Sequence, residues 1–311
     1  MNLIDINAYP IRDVMSLLIS DKTTKKNIIF ATDAYQDSGI EPRTQITKEL
    51  LLGMDALKIQ PRVLKSLQEQ SERTRKKAEV FTPSWICNKM NNHCDNEWFG
   101  REGVFNTEIG QSWTVNPDKV EFEKPGDWKK YVDSKRLEIT CGEAPYIVSR
   151  YDTTTAEIIP VDQRIGILDR KLRVVNENTN NESDWLNWTY RAFQSVYGYE
   201  FQGDNLLIAR INLLMTFVDY MQDRWERIPT DKEIKKIANI IAWNIWQMDG
   251  ISCTVPYGKP KEEYQQLDLF DFTVGIDDKE PGEVYCKIQD WRSKESMTFK
   301  SIRKVGTGNE V

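Results

Sequence analysis

The chain has 311 residues and a formal net charge of −6 at neutral pH, and hydrophobic and charged residues make up 40% and 29% of it. This composition supports a packed core and excludes a wholly disordered chain, while the acidic balance weighs against nucleic-acid binding through bulk charge. No run approaches the roughly 18 apolar residues of a membrane-spanning helix, and no signal-type leader opens the chain. We therefore expect a cytoplasmic protein with no membrane partner.

The five cysteines are scattered, and no pair has the Cys-x-x-Cys spacing of common zinc sites. Cys87, His93 and Cys94 lie close together in the sequence, but a fourth ligand is not evident. The sequence therefore predicts free thiols, as in a reducing cytoplasm, and no bound metal.

The first 77 residues are predicted to form a mainly helical N-terminal region. Residues 14–19 favour a short helix, and residues 27–33 form an apolar run ending in an acid, which is typical of a buried strand. Apolar residues at helical spacing predict a helix over 46–70 with an interruption at Pro61.

A basic stretch at 62–77 ends this region. Six of its side chains are lysine or arginine, and only two are glutamate. We interpret it as the solvated face of a helix. The alternative is a stripe that contacts phosphate groups, which would make binding sensitive to salt.

Residues 78–257 have the pattern of an α/β core with an irregular, aromatic-rich insertion near 96–135, whose tryptophans are expected to pack a small subdomain. Pro83 is expected to begin a helix that reaches about His93. The later segments alternate between strand patterns at 165–175, 196–200 and 244–248 and helix patterns at 185–195, 206–221 and from Thr230 to about Trp243.

Strand–turn–helix units whose strands end in an acid suggest a doubly wound sheet, in which ligands bind outside the carboxyl ends of the strands. A nucleoside-type methyl donor needs three features there. These are a tight turn that lets the backbone approach, a carboxylate for the two ribose hydroxyls, and a polar side chain for the adenine amino group.

Residues 258–311 follow the core as an acidic loop and a basic tail.

One short stretch, Glu-Ile-Thr-Cys-Gly-Glu-Ala-Pro-Tyr at 138–146, contains the elements of such a turn. It resembles the acid-Pro-x-Cys-Gly-Ser-Gly turn of N6-adenine DNA methyltransferases. The matching positions are Glu138, Cys141 and Gly142, and the resemblance implies that they bind the cofactor.

Two positions of this stretch depart from the family pattern. Glu143 stands where the family has a small polar residue, and it is expected to place a negative charge beside a carboxylate-bearing ligand. Ala144 replaces a second glycine, and its Cβ narrows the range of backbone conformations.

Two later stretches resemble the second and third motifs of the same family. Residues 197–200, followed by 209–213, are similar to the second motif and imply that Glu200 binds the ribose. Residues 244–249 are similar to the third motif and imply that Asp249 binds the adenine.

Upstream, Phe81-Thr82-Pro83 resembles the motif that precedes the turn in enzymes whose cofactor region comes before their recognition region. The resemblance thus implies a set of eight cofactor-binding residues: Phe81, Thr82, Pro83, Glu138, Cys141, Gly142, Glu200 and Asp249.

The ordered motifs span roughly residues 78–292. They are similar to the N6-adenine DNA methyltransferase-like "restriction endonuclease subunit M" proteins of phages and bacterial mobile elements. This resemblance implies a Rossmann-like methyltransferase sheet, S-adenosylmethionine as cofactor, and DNA modification in a restriction–modification or phage system. It also implies double-stranded DNA as a partner and leaves room for a protein partner that supplies target recognition.

The family's Asn/Asp/Ser-Pro-Pro-Tyr/Phe tetrapeptide, which holds and stacks the extruded adenine, is absent from this sequence. The nearest match, at 254–257, lacks the amide or carboxylate, and Pro256 followed by Tyr257 is typical of a turn. No catalytic residue is therefore assigned. Two alternatives to an active methyltransferase stay open. One is a catalytically inactive relative that binds DNA, cofactor or a restriction-system partner, and the other is a different nucleotide-handling enzyme.

Overall fold

The computed structural model describes residues 3–53, 56–77, 82–258 and 284–305. Within these ranges the chain forms ten α-helices, a three-stranded parallel sheet and two antiparallel hairpins. The helices are α1 (Ile11–Leu18), α2 (Lys48–Leu52), α3 (Leu67–Lys77), α4 (Ser84–Phe99), α5 (Asp127–Asp133), α6 (Ile167–Asn178), α7 (Glu182–Gln194), α8 (Gly203–Trp225), α9 (Asp231–Asn244) and α10 (Phe299–Val305). The strands are β1 (Asn106–Ile109), β2 (Ser112–Val115), β3 (Arg136–Glu138), β4 (Val196–Glu200), β5 (Ile245–Gln247), β6 (Lys287–Asp290) and β7 (Glu295–Thr298).

The central sheet has the order β3-β4-β5, and all three strands are parallel. Leu137 lies opposite Tyr197, and Tyr199 lies opposite Trp246. Every residue of β4 is buried, as expected for the middle strand of a sheet that is covered on both faces. The strands predicted at 196–200 and 244–248 are therefore confirmed.

The two faces of the sheet have different covers. Val196 and Ile245 point into the large hydrophobic core that is formed with the helices. Tyr197, Tyr199 and Trp246 alternate with them and belong to a smaller cluster, against which the β6–β7 hairpin and the start of α10 pack. The sheet thus has helices on one face and mainly a hairpin on the other.

The predicted α/β class is confirmed, but a doubly wound sheet is not present in the described residues. The strand order advances in one direction only, so right-handed connections place the helices that follow β3 and β4 on the same face. A doubly wound sheet requires the chain to reverse and to add strands beyond β3. None of the described strands other than β4 pairs with β3.

Most predicted helices are confirmed. The helix at Pro83 runs further than predicted, to Phe99, and α8 and α9 cover the predicted segments. The capping box is present, because the Thr230 hydroxyl accepts the Glu233 N–H and the Glu233 carboxylate accepts the Thr230 N–H. The helix predicted over 185–195 begins one turn earlier, with Asn181 as its cap.

The strand predicted at 165–175 is wrong, because these residues lead into and form α6. The side chain of Asp169 accepts the N–H of Gly166 at 3.2 Å and caps the first turn. Leu168 and Leu172 are four residues apart and both fully buried, which is the periodicity of a helix and not of a strand.

The N-terminal region contains less regular structure than predicted. Residues 27–33 are not a strand of the sheet, although Ile28 and Phe30 are fully buried, because the positive φ of Ala31 (51°) ends the extended run. The helix predicted over 46–70 is also wrong, since among the described residues of this range only α2, a short 3₁₀ turn and the start of α3 are helical.

The aromatic side chains of the insertion do not pack as a separate small subdomain, because Phe105 and Tyr131 belong to the large hydrophobic core and Trp128 packs against it. Trp98 lies edge-on to Phe99 and Tyr131, with ring centroids 4.7 and 5.1 Å apart, and Trp128 lies 4.8 Å from Trp188. The predicted acidic loop lies, except for its first residue, outside the described residues. Among those that are described, no helix combines the length and apolar character needed to cross a bilayer.

Candidate cofactor site

The turn after β3 has an unusual backbone. Thr140, Gly142 and Ala144 all have positive φ angles, of 46°, 53° and 65°. Gly142 adopts this conformation at no steric cost, whereas a β-branched threonine there is a genuine outlier. Backbone strain of this kind is concentrated at binding and catalytic sites, which makes the turn the first candidate for a functional element.

The turn is fastened to the end of β4 by two hydrogen bonds. The N–H of Cys141 donates to the carbonyl of Tyr199 at 2.8 Å, and the N–H of Gly142 donates to Oε2 of Glu200 at 2.9 Å. Gly198 permits this approach, because a Cβ there would lie 3.2 Å from the Cys141 sulfur. The carboxyl ends of two neighbouring parallel strands are thereby joined.

Glu200 is oriented by a second backbone donor. Its Oε1 accepts the N–H of Gln202 at 3.1 Å, and only 7% of the residue is exposed. Hydrogen bonds to both oxygens fix the plane of the carboxylate, which is how binding sites keep a ligand-contacting group in place. The structure therefore brings together Glu200 and the Cys141–Gly142 turn.

Glu138 holds the other side of the turn. Its Oε2 accepts the N–H of Ile147 at 3.1 Å, and its Oε1 accepts the N–H of Tyr146 at 3.4 Å. Burial raises the pKa of Glu138 well above its usual value, the two backbone donors oppose this shift, and the nearby Glu200 carboxylate adds to it. Two carboxyl groups with different environments thus flank the turn.

A cavity of about 440 Å³ opens beside the turn, a volume within the usual range for small-molecule sites. Its walls are largely apolar, and three of their side chains are unusually exposed: Met90 at 53%, Leu137 at 42% and Ile139 at 64%. Glu138 and Asn91 supply polar groups to the same cavity. An apolar wall with a few fixed polar groups is the usual composition of a ligand pocket.

Thr82 lines the same cavity, and Pro83 occupies the position that caps α4. The Thr82 carbonyl accepts the Thr153 hydroxyl at 3.0 Å, which fixes this segment against the loop that follows the turn. Phe81, the first residue of the same predicted motif, lies outside the described residues. Five predicted positions, Thr82, Pro83, Glu138, Cys141 and Gly142, are therefore found at or next to the cavity.

Asp249 is not brought into this cavity. It follows β5, but its Oδ1 accepts the N–H groups of Ile251 and Ser252 at 2.9 and 3.3 Å. An aspartate that bonds to the backbone two and three residues ahead stabilises its own turn. The structure thus shows a local role for Asp249 and no contact with the turn at 138–146.

Contrary to the expectation from the sequence, Glu143 does not place its charge beside a ligand in the cavity, because it is not among the residues that line it. Its Oε1 accepts the N–H of Arg62 at 2.6 Å, and its Oε2 accepts the hydroxyl of Tyr151 at 2.7 Å. The Asn212 side chain also donates to the Glu143 carbonyl, at 3.1 Å. Asn212 belongs to the predicted second motif, and its support of the turn is a role that the motif does not indicate.

A buried ionic cluster lies one turn beyond Glu200, at the start of α8. The Asp204 carboxylate lies 3.3 Å from the ammonium nitrogen of Lys65 and 2.9 Å from a guanidinium nitrogen of Arg73. It also accepts a hydrogen bond from the Tyr35 hydroxyl at 2.9 Å. Burial alone would raise the pKa of Asp204, but the attraction of Lys65 and then of Arg73 lowers it well below its usual value. Lys65 and Arg73 therefore belong neither to a solvated face nor to a phosphate-facing stripe.

Neither the Cys141 thiol nor residues 254–257, the nearest match to the family tetrapeptide, supplies a catalytic group. Burial, followed by the carboxylates of Glu138 and Glu200, raises the pKa of the Cys141 thiol, so its sulfur packs as a small apolar group. At 254–257 the Val255 carbonyl accepts the Gly258 N–H at 2.9 Å, which confirms a turn. Within the described ranges, no group of three or more His, Cys, Asp or Glu side chains is arranged to hold a metal ion.

Comparisons were made with models of protein families, with curated proteins and with solved structures. None of the three comparisons found a match to this chain.

Proposed function

We propose that this protein binds S-adenosylmethionine at the 138–146 turn, and that it is a methyltransferase-like protein whose sequence lacks the family's tetrapeptide for holding a target base. The observation that carries the proposal is the 2.9 Å hydrogen bond between Gly142 and Glu200. It joins a strained turn and an oriented carboxylate at the ends of adjacent parallel strands, where α/β proteins bind nucleotides.

Two of the three features that this cofactor requires are present, and of these the turn lines the cavity whereas Glu200 lies behind it and is not part of the lining. The turn offers a backbone bend with Gly142 in the left-handed region, and Glu200 offers a fixed carboxylate for ribose hydroxyls. The third requirement, a polar partner for adenine, is not met by Asp249, whose carboxylate is turned toward its own loop. When bound, S-adenosylmethionine would supply an electrophilic methyl group, and this chain would contribute binding and orientation.

Methyl transfer to adenine N6 in double-stranded DNA requires a pocket for the extruded base. The family tetrapeptide is absent, and no described strand extends the sheet beyond β3, on the side where further strands of a doubly wound sheet would lie. A role in DNA modification, in a restriction–modification or phage system, therefore depends on a protein partner that supplies this pocket. The alternative, a catalytically inactive relative that binds cofactor, DNA or a restriction-system partner, has the same expected behaviour in isolation.

The direct test is calorimetric titration of the purified chain with S-adenosylmethionine and, in parallel, with NAD. We expect binding of S-adenosylmethionine and none of NAD. Binding of NAD alone, or of neither compound, would contradict the proposal.

A second assay separates cofactor binding from methyl transfer. Labelled methyl groups are followed from S-adenosylmethionine to duplex DNA in the presence of the chain alone. We expect no incorporation, because the tetrapeptide that holds the extruded adenine in the family is absent from the sequence. Incorporation would show that the chain is a complete methyltransferase.

A further inference from the structure

Asn91, on helix α4, is a buried residue whose amide group has a fixed orientation. Only 3% of the residue is exposed, and it lines the cavity beside the 138–146 turn. Its Nδ2 donates to the carbonyls of Tyr146 and Ile165, in both cases at 3.0 Å. These bonds use both N–H groups of the amide, and the two carbonyl acceptors determine which end of the amide carries the nitrogen. The position of the amide oxygen, Oδ1, is therefore fixed as well.

The amide oxygen of Asn91 has no hydrogen-bond donor among the described residues. Asn88 and Asn92, on the same helix, are also buried, but their Oδ1 atoms accept hydrogen bonds from Arg170 at 2.9 and 2.6 Å. A buried amide oxygen normally accepts a hydrogen bond from the protein, from water or from a ligand. The Asn91 oxygen is not one of the unpaired polar atoms that the protein encloses completely, so it stays open to the cavity that Asn91 lines.

The walls of this cavity suit a flat, largely apolar ring. Met90, Leu137 and Ile139 line it with exposed apolar side chains, and a ligand that covers them gains from their removal from water. The carboxyl group in the lining, that of Glu138, already accepts two backbone N–H groups. Adenine has two apolar faces and an amino group at one edge, whereas the methionine part of S-adenosylmethionine carries an ammonium and a carboxylate. The cavity therefore suits the adenine better than the methionine part.

We propose that this cavity holds the adenine of S-adenosylmethionine, and that Oδ1 of Asn91 accepts a hydrogen bond from the adenine amino group. This inference rests on the proposed function. It assigns the third feature that the cofactor requires, a polar partner for adenine, to a residue that belongs to none of the predicted motifs. Hypoxanthine has an oxygen in place of the amino group and would set an acceptor against an acceptor, so the site should reject it.

The next residue on the same helix provides a matched control. Asn92 does not line the cavity, and its amide is fully used within the protein. Its Nδ2 donates to Asn106 and Glu108, at 3.0 Å each, and its Oδ1 accepts Arg170. Asn92→Ala therefore removes a buried amide of the same size from α4 without changing a group that faces the cavity.

The experiment is calorimetric titration of the full-length chain with S-adenosylhomocysteine and with S-inosylhomocysteine, which carry adenine and hypoxanthine on the same scaffold. The proteins are the wild type, Asn91→Ala, Asn91→Ser and Asn92→Ala, each checked for folding by circular dichroism. Asn91→Ser keeps a hydroxyl that can bond within the helix but is too short to replace Oδ1, so it serves if Asn91→Ala does not fold.

We expect the wild type and Asn92→Ala to bind the adenosyl compound at least about tenfold more tightly than the inosyl compound, because hypoxanthine leaves a buried acceptor unpaired. The Asn91 variants should lose most of this preference. A retained preference would show that Asn91 only supports the turn, even if the affinity for both compounds falls, and it would overturn the inference.

The wild type can also overturn the inference without any variant, by binding both compounds equally well. The same loss of preference in Asn92→Ala would overturn it too. Each of these results leaves the proposed function intact. If the wild type binds neither S-adenosylmethionine nor these two compounds, the proposed function fails and this inference fails with it.

Discussion

Two aspartates on one helix, Asp204 and Asp219, form similar ion pairs in different surroundings. Each accepts two cationic side chains, but the side chain of Asp204 has no exposed surface, whereas that of Asp219 is 21% exposed. Asp204 joins Lys65 and Arg73, which lie before α4, to the loop after β4. Asp219 joins positions 150 and 164, which both lie in the connection between β3 and α6. The comparison indicates that burial, and not the number of ion pairs, distinguishes the two carboxylates.

The largest expected effect is that of Asp204→Asn. This substitution leaves Lys65 and Arg73 buried without their carboxylate, so we expect the free energy of unfolding to fall by about 3–5 kcal/mol. Urea unfolding followed by circular dichroism measures the loss. A change below about 1 kcal/mol would show that water replaces the carboxylate easily, and the contrast with Asp219 would disappear.

The pH dependence of stability sharpens the same contrast. The pKa of Asp204 is lower in the folded chain than its value of about 3.9 in an unfolded chain. Its contribution is therefore fully present above the unfolded pKa and is lost as the pH falls through the folded pKa. We expect the stability difference between the wild type and Asp204→Asn to be constant near neutrality and to shrink below about pH 4. A difference that persisted unchanged at pH 3 would contradict the ionised Asp204 cluster.

A smaller effect is expected for Asp219→Asn. Asp219 and Arg150 lie nearer to solvent than the Asp204 cluster, with side chains that are 21% and 15% exposed, and the two arginines lose hydrogen bonds to a charged acceptor, which corresponds to about 1–2 kcal/mol. The same urea experiment measures it, and the loss should decrease in 1 M salt, where screening acts within about 3 Å. A loss equal to that of Asp204→Asn, and independent of salt, would remove the distinction between the two sites.

The sequence predicted the elements whose signals are local. Helix α9 has both partners of its capping box within four residues, β4 is a short run of mainly apolar residues, and α8 repeats apolar residues at helical spacing. The resemblance to the family motifs assigned Gly142 and Glu200 to the same site, and in the structure the N–H of Gly142 donates to Oε2 of Glu200 at 2.9 Å.

Other features depend on contacts that a linear pattern does not contain. The strand predicted at 165–175 was wrong although the four-residue spacing of Leu168 and Leu172 is a local helix signal, and only part of the cap of α6 is distant, namely Ser149, whose N–H donates to the Asp169 side chain at 2.9 Å. The inward orientation of Lys65 and Arg73 depends on Asp204, more than a hundred residues later. Asp249 matched a motif by position, but the local turn that it stabilises determines where its carboxylate points.

The central claim is that Glu200, held against the Gly142 turn, binds the ribose of S-adenosylmethionine. Its most direct test is calorimetric measurement of affinity in Glu200→Gln, with Asp249→Asn as the matched carboxylate at the end of the next strand. We expect Glu200→Gln to weaken binding by about tenfold or more, because a charged hydrogen bond is lost, and Asp249→Asn to change affinity by a factor of about two at most. Unchanged affinity in Glu200→Gln, or a loss confined to Asp249→Asn, would contradict the account.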